Sequence, residues 1–201
     1  RIEPSSSITT DLREIAEDVV ARAMRAGATS AEAMAREGAE FSVTVRMGEV
    51  ETLKESGSRS LGVRAFIGRR AGSTYTSDFT QEGIERMLKG ALELAHVTSE
   101  DPCAGIPEAQ QLGSCPGDLK LYYEDVYSLA PEERIEYARR AEKAALEFDP
   151  RIKNSEGGSF EAVDGHRVLA NSHGFTGEYR RSYCSVVAVP IAQADNGAMQ
   201  R

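Results

Sequence analysis

Histidine and cysteine are the residue types in this sequence best suited to metal binding or nucleophilic chemistry, and each occurs three times. They are His96, His166 and His173, and Cys103, Cys115 and Cys184. Two imidazole nitrogens and a thiolate can hold zinc. His166 and His173, however, fall at opposite ends of one predicted strand, roughly 20 Å apart at about 3.3 Å per residue. The sequence therefore predicts no metal site and no catalytic residue in this chain.

The short motifs that carry catalytic chemistry are also absent. The sequence contains no HExxH or HExxxH pair, no P-loop, no CxxC and no GxSxG elbow. Its glycine-rich stretch, Gly68 to Gly72, lacks the GxGxxG spacing of dinucleotide-binding loops. The odd number of cysteines argues against a disulfide-stapled secreted domain, so we expect a cytoplasmic protein.

The charge of the chain argues against direct nucleic-acid binding. A formal net charge of −8 and a pI near 5.1 repel a phosphate backbone, which binds proteins largely through lysine and arginine. The arginine clusters at 64–70 and 180–181 have no interleaved aromatic residues of the kind that stack on bases. No apolar run reaches the roughly 18–20 residues needed to span a bilayer. We therefore expect neither a nucleic-acid partner nor a membrane.

Three amphipathic helices are predicted from apolar residues that recur along one helical face. The first follows Thr10 as its N-cap and ends at Gly27, and the second follows Thr80 or Asp78. The third begins at Pro131 and stops at Asp149-Pro150. The buried side of the third helix is predicted to contain Ile135, Ala138, Ala145 and Leu146.

Alternating apolar and polar residues predict strands on both sides of the second and third helices. The first group covers 41–47, 50–55, 61–67 and 71–76, with a turn at Gly57-Ser58. Segment 28–37 is compatible with either a helix or a strand. Asp164-Gly165 predicts a hairpin, followed by a long strand over 175–191. The fold class is therefore α+β, with antiparallel meander sheets packed by three helices in the order α-β-β-β-β-β-α-loop-α-β-β-β, the loop being 98–120.

Two Asn-Ser-x-Gly segments are the candidate contact sites. They are Asn154-Ser155-Glu156-Gly157 and Asn171-Ser172-His173-Gly174. Asparagine and serine bond to nearby backbone and glycine supplies a positive φ, so both segments are predicted to be turns. They are either ordinary turns or polar turns displayed at a sheet rim to contact a partner or substrate. The residues predicted for such contact are Asn154, Ser155, Glu156, Asn171 and His173.

Four sequence blocks resemble one known family. The blocks are Arg46-Met47-Gly48-Glu49-Val50-Glu51, Asp101-Pro102-Cys103-Ala104-Gly105, the run from Arg151 to Phe160, and Asn171-Ser172-His173-Gly174. In order and spacing they resemble the PmbA (TldE-like) branch of the TldD/PmbA metalloprotease family, over about residues 12–201. No metal-ligand position of the family falls on a residue of this sequence.

The resemblance implies the N-terminal part of a non-catalytic subunit of a zinc peptidase that cleaves unfolded peptides. The zinc, held by an HExxxH helix and a third ligand, is expected in a TldD-like partner, in a heterodimer, and homodimers also occur in the family. Residues 1–9 are expected to be a disordered segment, and 10–201 an N-terminal α+β domain that lacks the C-terminal domain. The alternatives are a stand-alone peptide- or protein-binding module and a regulator of DNA gyrase, the family's older label.

Overall fold

The computed structural model describes residues 11–113 and 119–201. The elements in these residues are α1 (Leu12–Arg25), β1 (Ser30–Arg46), β2 (Glu49–Ile67), β3 (Arg70–Thr76), α2 (Gln81–Val97), α3 (Asp125–Ser128), α4 (Pro131–Phe148), β4 (Ile152–Asn171), β5 (Thr176–Gln193) and β6 (Met199–Gln200). A one-turn 3-10 helix, Ala109–Gln111, lies between α2 and α3. The predicted α+β class is confirmed. The disorder predicted for 1–9 lies outside the described residues.

The strands form one six-stranded sheet in the order β3-β2-β1-β4-β5-β6. Strands joined by short turns run antiparallel, because parallel pairs need long crossovers. The pairing of β2 with β3 runs from Leu61 opposite Thr76 to Ile67 opposite Arg70. The turn between β1 and β2 is Met47-Gly48, in which φ is 51° and 82°.

Two predicted turns are wrong, because their residues lie inside long strands. Gly57-Ser58 lies within β2, and Asp164-Gly165 lies within β4. At Asp164-Gly165 the backbone of β4 instead lies very close to Gly38 of β1. A Cβ added to Gly38 would lie 2.5 Å from the Asp164 carbonyl oxygen. A glycine inside a strand commonly marks such an approach of backbones. The region before α2 therefore contains three strands, and segment 28–37 belongs to β1 from Ser30 onward.

The chain divides into two compact units, and the described residues of unit 1 fall within Arg1–Glu37, Ser58–Leu119 and His166–Tyr179. Its core joins α1 and α2 to buried strand residues that include Ala31, Leu61 and Val168. A Cβ on Gly72 of β3 would lie 2.6 Å from the Ala95 amide nitrogen, so glycine lets α2 pack directly on this strand. These contacts offset the low intrinsic helix propensity of the glycines in α2.

Capping residues define where the unit 1 helices begin. Thr80 caps α2, as predicted, by accepting the Gly83 amide at 3.2 Å. The N-cap of α1 is Asp11 rather than Thr10, and its carboxylate accepts the Arg13 amide at 2.8 Å. An N-cap side chain satisfies a backbone N–H that has no partner inside the helix.

Unit 2 comprises Gly38–Gly57, Lys120–Gly165 and Arg180–Arg201. Its core contains Phe41, Val43, Val45, Ala138, Phe160 and Ala162, and α4 contributes Ala138 to it. Pro131 occupies the first turn of α4, and the helix ends at Phe148 before Asp149, as the sequence predicted. The most buried residues of α4 are Arg134, Ala138 and Glu142, spaced four apart, rather than the fully apolar face expected.

No helix within 11–113 or 119–201 is long and apolar enough to cross a bilayer.

Candidate functional site

The histidines have separate local partners. The Nε2 atom of His166 is 3.2 Å from Glu178 Oε2, and its Nδ1 atom is 3.9 Å from Glu37 Oε1. The two carboxylates thus approach opposite nitrogens of one ring. His96 lies in the last turn of α2. In the described part of the chain, no group of three His, Cys, Asp or Glu side chains is arranged to hold a metal ion.

The predicted turn at Asn171–Gly174 is confirmed, and it is held firmly in unit 1. The buried Asn171 side chain accepts the amides of His173 at 3.0 Å and Phe175 at 3.1 Å. The Nδ1 atom of His173 is 2.8 Å from the Pro107 carbonyl oxygen. Ser172 Oγ accepts the Ala31 amide at 3.0 Å. These hydrogen bonds therefore join the turn at the end of β4 to β1 and to the loop after α2.

A groove of about 410 Å³ lies between this turn and α1. Its walls are formed by one side of α1 and by the turn itself: Glu17, Val20, Ala21 and Met24, with Ala170, Asn171, Ser172, Gly174 and Thr176. Of the residues predicted for contact in unit 1, Asn171 lines this groove and His173 does not. The groove offers apolar surface with one carboxylate and a few amide and hydroxyl groups.

The second predicted turn, 154–157, is wrong, because these residues belong to β4. Ser155 is buried, and its hydroxyl donates a hydrogen bond to the carboxylate of Glu142 on α4. Asn154 accepts the Ser155 amide at 2.8 Å, and exposed Glu156 pairs with Arg201 at 2.5 Å. The five residues predicted for contact thus fall in different units, with Asn154, Ser155 and Glu156 in unit 2.

Glu142 is the centre of a buried polar cluster that the sequence reading missed. One carboxylate oxygen accepts the Met47 amide at 2.8 Å, and the other accepts the Gly48 amide at 2.9 Å. The helical spacing could have revealed this residue. Glu142 follows Ala138 by four residues, which places its carboxylate on the buried side of α4. The cluster ties the Arg46–Glu51 block to the Arg151–Phe160 block through one side chain.

The protonation of Glu142 follows from these contacts. Burial raises the pKa of its carboxyl group, but the Ser155 hydroxyl, the Gly48 and Met47 amides and the nearby Arg46 guanidinium lower it by more. The net effect is a lowered pKa, because hydrogen bonds to the charged form favour it. Glu142 is therefore an anion at neutral pH that stabilises a turn, rather than a proton donor.

Two glycines allow this cluster to form. A Cβ on Gly158 would lie 2.9 Å from the Glu142 amide nitrogen, so only glycine lets α4 lie this close to β4. Gly157 has φ of 118°, and a Cβ there would lie 2.8 Å from the Val45 carbonyl oxygen. These positions therefore require glycine for close approach and backbone conformation, and not for a turn.

Arg134 of α4 is a second buried charged residue that the sequence did not predict. Its guanidinium lies between two aromatic rings, 4.4 Å from the Phe41 centroid and 4.7 Å from the Tyr127 centroid. It donates to the Tyr127 carbonyl oxygen, whereas Arg134 Nε and the Tyr127 hydroxyl have no hydrogen-bond partner among the described residues. Burial and the Glu55 carboxylate raise the pKa of Tyr127 by more than Arg134 lowers it.

Arg69 holds the start of the loop after α2. Its guanidinium donates to the carbonyl oxygens of Pro102 at 3.0 Å and Ala104 at 3.2 Å, while its own carbonyl accepts the Asp101 amide at 2.9 Å. Asp101 also accepts the Cys103 amide. The Asp101–Gly105 block is therefore a folded turn that is anchored to the turn between β2 and β3.

Family comparisons agree with this architecture. Residues 31–95 match the family described as PmbA/TldA metallopeptidase domain 1, and residues 124–201 match the PmbA/TldA metallopeptidase central domain. Together the two matches cover more than half of the chain.

Curated relatives extend the match. The chain is 36% identical over 192 residues to the metalloprotease PmbA of Escherichia coli O157:H7, covering 94% of this chain and 42% of that protein. It is 34% identical over 181 residues to the PmbA homolog of Haemophilus influenzae, covering 88% of this chain and 40% of that protein. The chain belongs to the PmbA/TldD family of metallopeptidases, as the sequence blocks indicated.

Solved structures share the fold. A crystal structure from Bacteroides thetaiotaomicron, described as a modulator of DNA gyrase, has a TM-score of 0.85 at 22% identity, covering 94% of this chain and 43% of that one. TldE from Thermococcus kodakarensis has a TM-score of 0.76 at 15% identity, and the match covers 93% of this chain and 41% of that one. The chain spans about two fifths of the length of these relatives.

Proposed function

We propose that this chain is the N-terminal, non-catalytic part of a PmbA/TldE-like subunit, residues 10–201 of a longer protein. It would support a TldD-like partner that holds zinc and cleaves unfolded peptides. The observation that carries this proposal is the match to the family's domain 1 and central domain. Among the described residues, Cys103 and Cys184 have exposed thiols and form no disulfide, which favours a reducing compartment, so we propose a cytoplasmic location.

The side chains described here do not fit the zinc that the family implies. The two carboxylates near His166 lie against opposite ring nitrogens, and His173 Nδ1 faces a backbone carbonyl oxygen. A tetrahedral zinc site needs at least three protein ligands directed at one point. We therefore derive no hydrolytic step from this chain. The polar side chains described above stabilise its turns by hydrogen bonds to backbone amides.

The test compares this chain, a TldD-like partner and the two mixed, each with zinc and a fluorescently labelled unfolded peptide. We expect a stable complex in gel filtration and cleavage only when the partner is present. An alanine substitution in the partner's HExxxH pair is the matched control and should abolish cleavage. Chelator-sensitive cleavage by this chain alone would contradict the proposal, as would failure of the two chains to associate.

A second candidate function is a stand-alone module that binds extended peptides. It is favoured by a stretch of β2 that has a free side in the described sheet. The two candidates differ in one measurable respect: a stand-alone module binds peptide without a partner and gains no affinity when the TldD-like chain is added. An increase in affinity on adding the partner supports the first candidate.

A further inference from the structure

A length of β2 has a strand on only one side. In the sheet, β2 lies between β3 and β1, but its pairing with β3 begins only at Leu61, opposite Thr76. Residues Glu49–Gly57, which belong to unit 2, therefore have β1 on one side and no described strand on the other. We call Glu49–Gly57 the open edge.

The open edge is accessible along its whole length. Every residue from Glu49 to Gly57 is exposed. Within 11–113 and 119–201, no turn, loop or cap forms a backbone hydrogen bond to the open edge beyond the strand pairing. Along one side of an antiparallel strand, alternate residues direct both N–H and C=O outward. Such a row is a template for an added strand, and at about 3.3 Å per residue it accommodates a segment of about eight residues.

The charge of the open edge is acidic. It contains Glu49, Glu51 and Glu55 but only one cation, Lys54. Glu51 lies 3.5 Å from Arg46, whereas Glu49 and Glu55 make no ion pair with any described residue. Opposite charges on facing strands stabilise a sheet, and like charges directly opposite destabilise it. The open edge therefore favours a strand rich in lysine or arginine.

We propose that the open edge binds an extended cationic peptide segment as an additional strand of the sheet. The backbone rows supply the hydrogen bonds, and the three carboxylates supply selectivity for lysine and arginine. A second copy of this chain fits poorly, because it would bring another acidic edge alongside. The outer edge of β3, Arg70–Thr76, has no carboxylate and so lacks the charge for this selection. The inference rests on the second candidate function and deepens it, because it names the binding site and the charge of the peptide.

The peptide arm of the test measures binding of the whole chain to a fluorescein-labelled, end-capped octapeptide of alternating lysine and threonine. Binding is detected at low salt as an increase in fluorescence anisotropy. We expect binding that weakens as salt is added. A peptide with glutamate in place of lysine should not bind. Two further peptides are N-methylated at every lysine or at every threonine. Because an added strand directs alternate amides at the edge, only one of these two should lose binding.

The protein arm compares two triple variants. The first combines Glu49→Gln, Glu51→Gln and Glu55→Gln, and the matched control combines Glu82→Gln, Glu85→Gln and Glu93→Gln on the exposed side of α2. Both variants remove three negative charges. Losing three cross-strand pairs should weaken binding about tenfold in the first variant only. Circular dichroism confirms that each variant is folded.

Several results would overturn the inference. These are equal loss of affinity in both triple variants, equal binding of the lysine and glutamate peptides, or equal binding of the two N-methylated peptides. Absence of binding by the unmodified chain would also overturn it. A dimer in sedimentation that the first triple variant abolishes would assign the open edge to a second copy instead. None of these measurements depends on whether the chain associates with a TldD-like partner.

Discussion

Replacing Glu142 by glutamine tests whether one buried carboxylate holds the turn between β1 and β2. Glu142 accepts the amides of Met47 and Gly48 and the hydroxyl of Ser155, and it is 1% exposed. Glutamine keeps one acceptor oxygen but directs an NH₂ group at a donor, so at least one hydrogen bond is lost. Because a hydrogen bond to a charged group contributes about 1.5–3 kcal/mol, we expect the free energy of unfolding to fall by about 2–4 kcal/mol.

The measurement is urea denaturation at neutral pH, followed by far-ultraviolet circular dichroism. Glu147→Gln is the control on the same helix, since the Glu147 side chain is 67% exposed and, among the described residues, forms an ion pair with the exposed Lys143 alone. An exposed substitution of this kind should change the free energy of unfolding by less than about 0.5 kcal/mol. An equally small effect of Glu142→Gln would refute the reasoning.

The pH dependence gives an independent check with a definite sign. The pKa of Glu142 is lowered in the folded protein from its ordinary value of 4.5. A lowered folded-state pKa contributes stability above the unfolded value, and this contribution is lost as pH falls through the folded value. The stability difference between the wild type and Glu142→Gln should therefore shrink as the pH falls below about 4.5. A difference that is constant with pH would show that the carboxylate charge is not responsible.

Three further predictions concern unit 2 and its control positions. Gly158→Ala should lower the free energy of unfolding in urea by about 2 kcal/mol or more, because its Cβ has no room beside α4. Gly113→Ala should be nearly neutral, because a Cβ there meets no described atom within 4 Å. Arg134→Met should have a higher thermal midpoint than Arg134→Ala, because both remove the buried guanidinium but only methionine fills the volume that it leaves; equal midpoints would contradict this. The Asp149 carboxyl should titrate by carbon NMR at a pKa of about 2, because the side chain and backbone of Arg151 donate to it. Its stabilising contribution is then present above the ordinary value of 3.8 and lost as pH falls through about 2, and Arg151→Gln should move the titration upward.

Local patterns in the sequence were sufficient to predict the three long helices and the family, but not α3 or the one-turn 3-10 helix. Apolar residues at helical spacing predicted α1, α2 and α4, with Thr80 and Pro131 placed correctly at their starts. These signals lie within a few residues of one another, so the chain records them directly. Blocks of sequence likewise identified the PmbA/TldD family before any geometry was known.

Contacts between residues distant in sequence determined where the strands continue and where they turn. Gly57-Ser58 and Asp164-Gly165 have the composition of turns, yet neighbouring strands hold both in extended conformation. The preference of two residues for a turn contributes less free energy than the hydrogen-bond ladder that the strand forms before and after them.

The polar cluster in unit 2 was set by tertiary structure alone. Met47 and Glu142, which form a hydrogen bond in this cluster, are separated by 95 residues along the chain. The sequence determined that a carboxylate lies on the buried side of α4. Only the packing of α4 on the sheet determined which amides and hydroxyl it binds, because a buried charge takes the donors that the fold brings within reach.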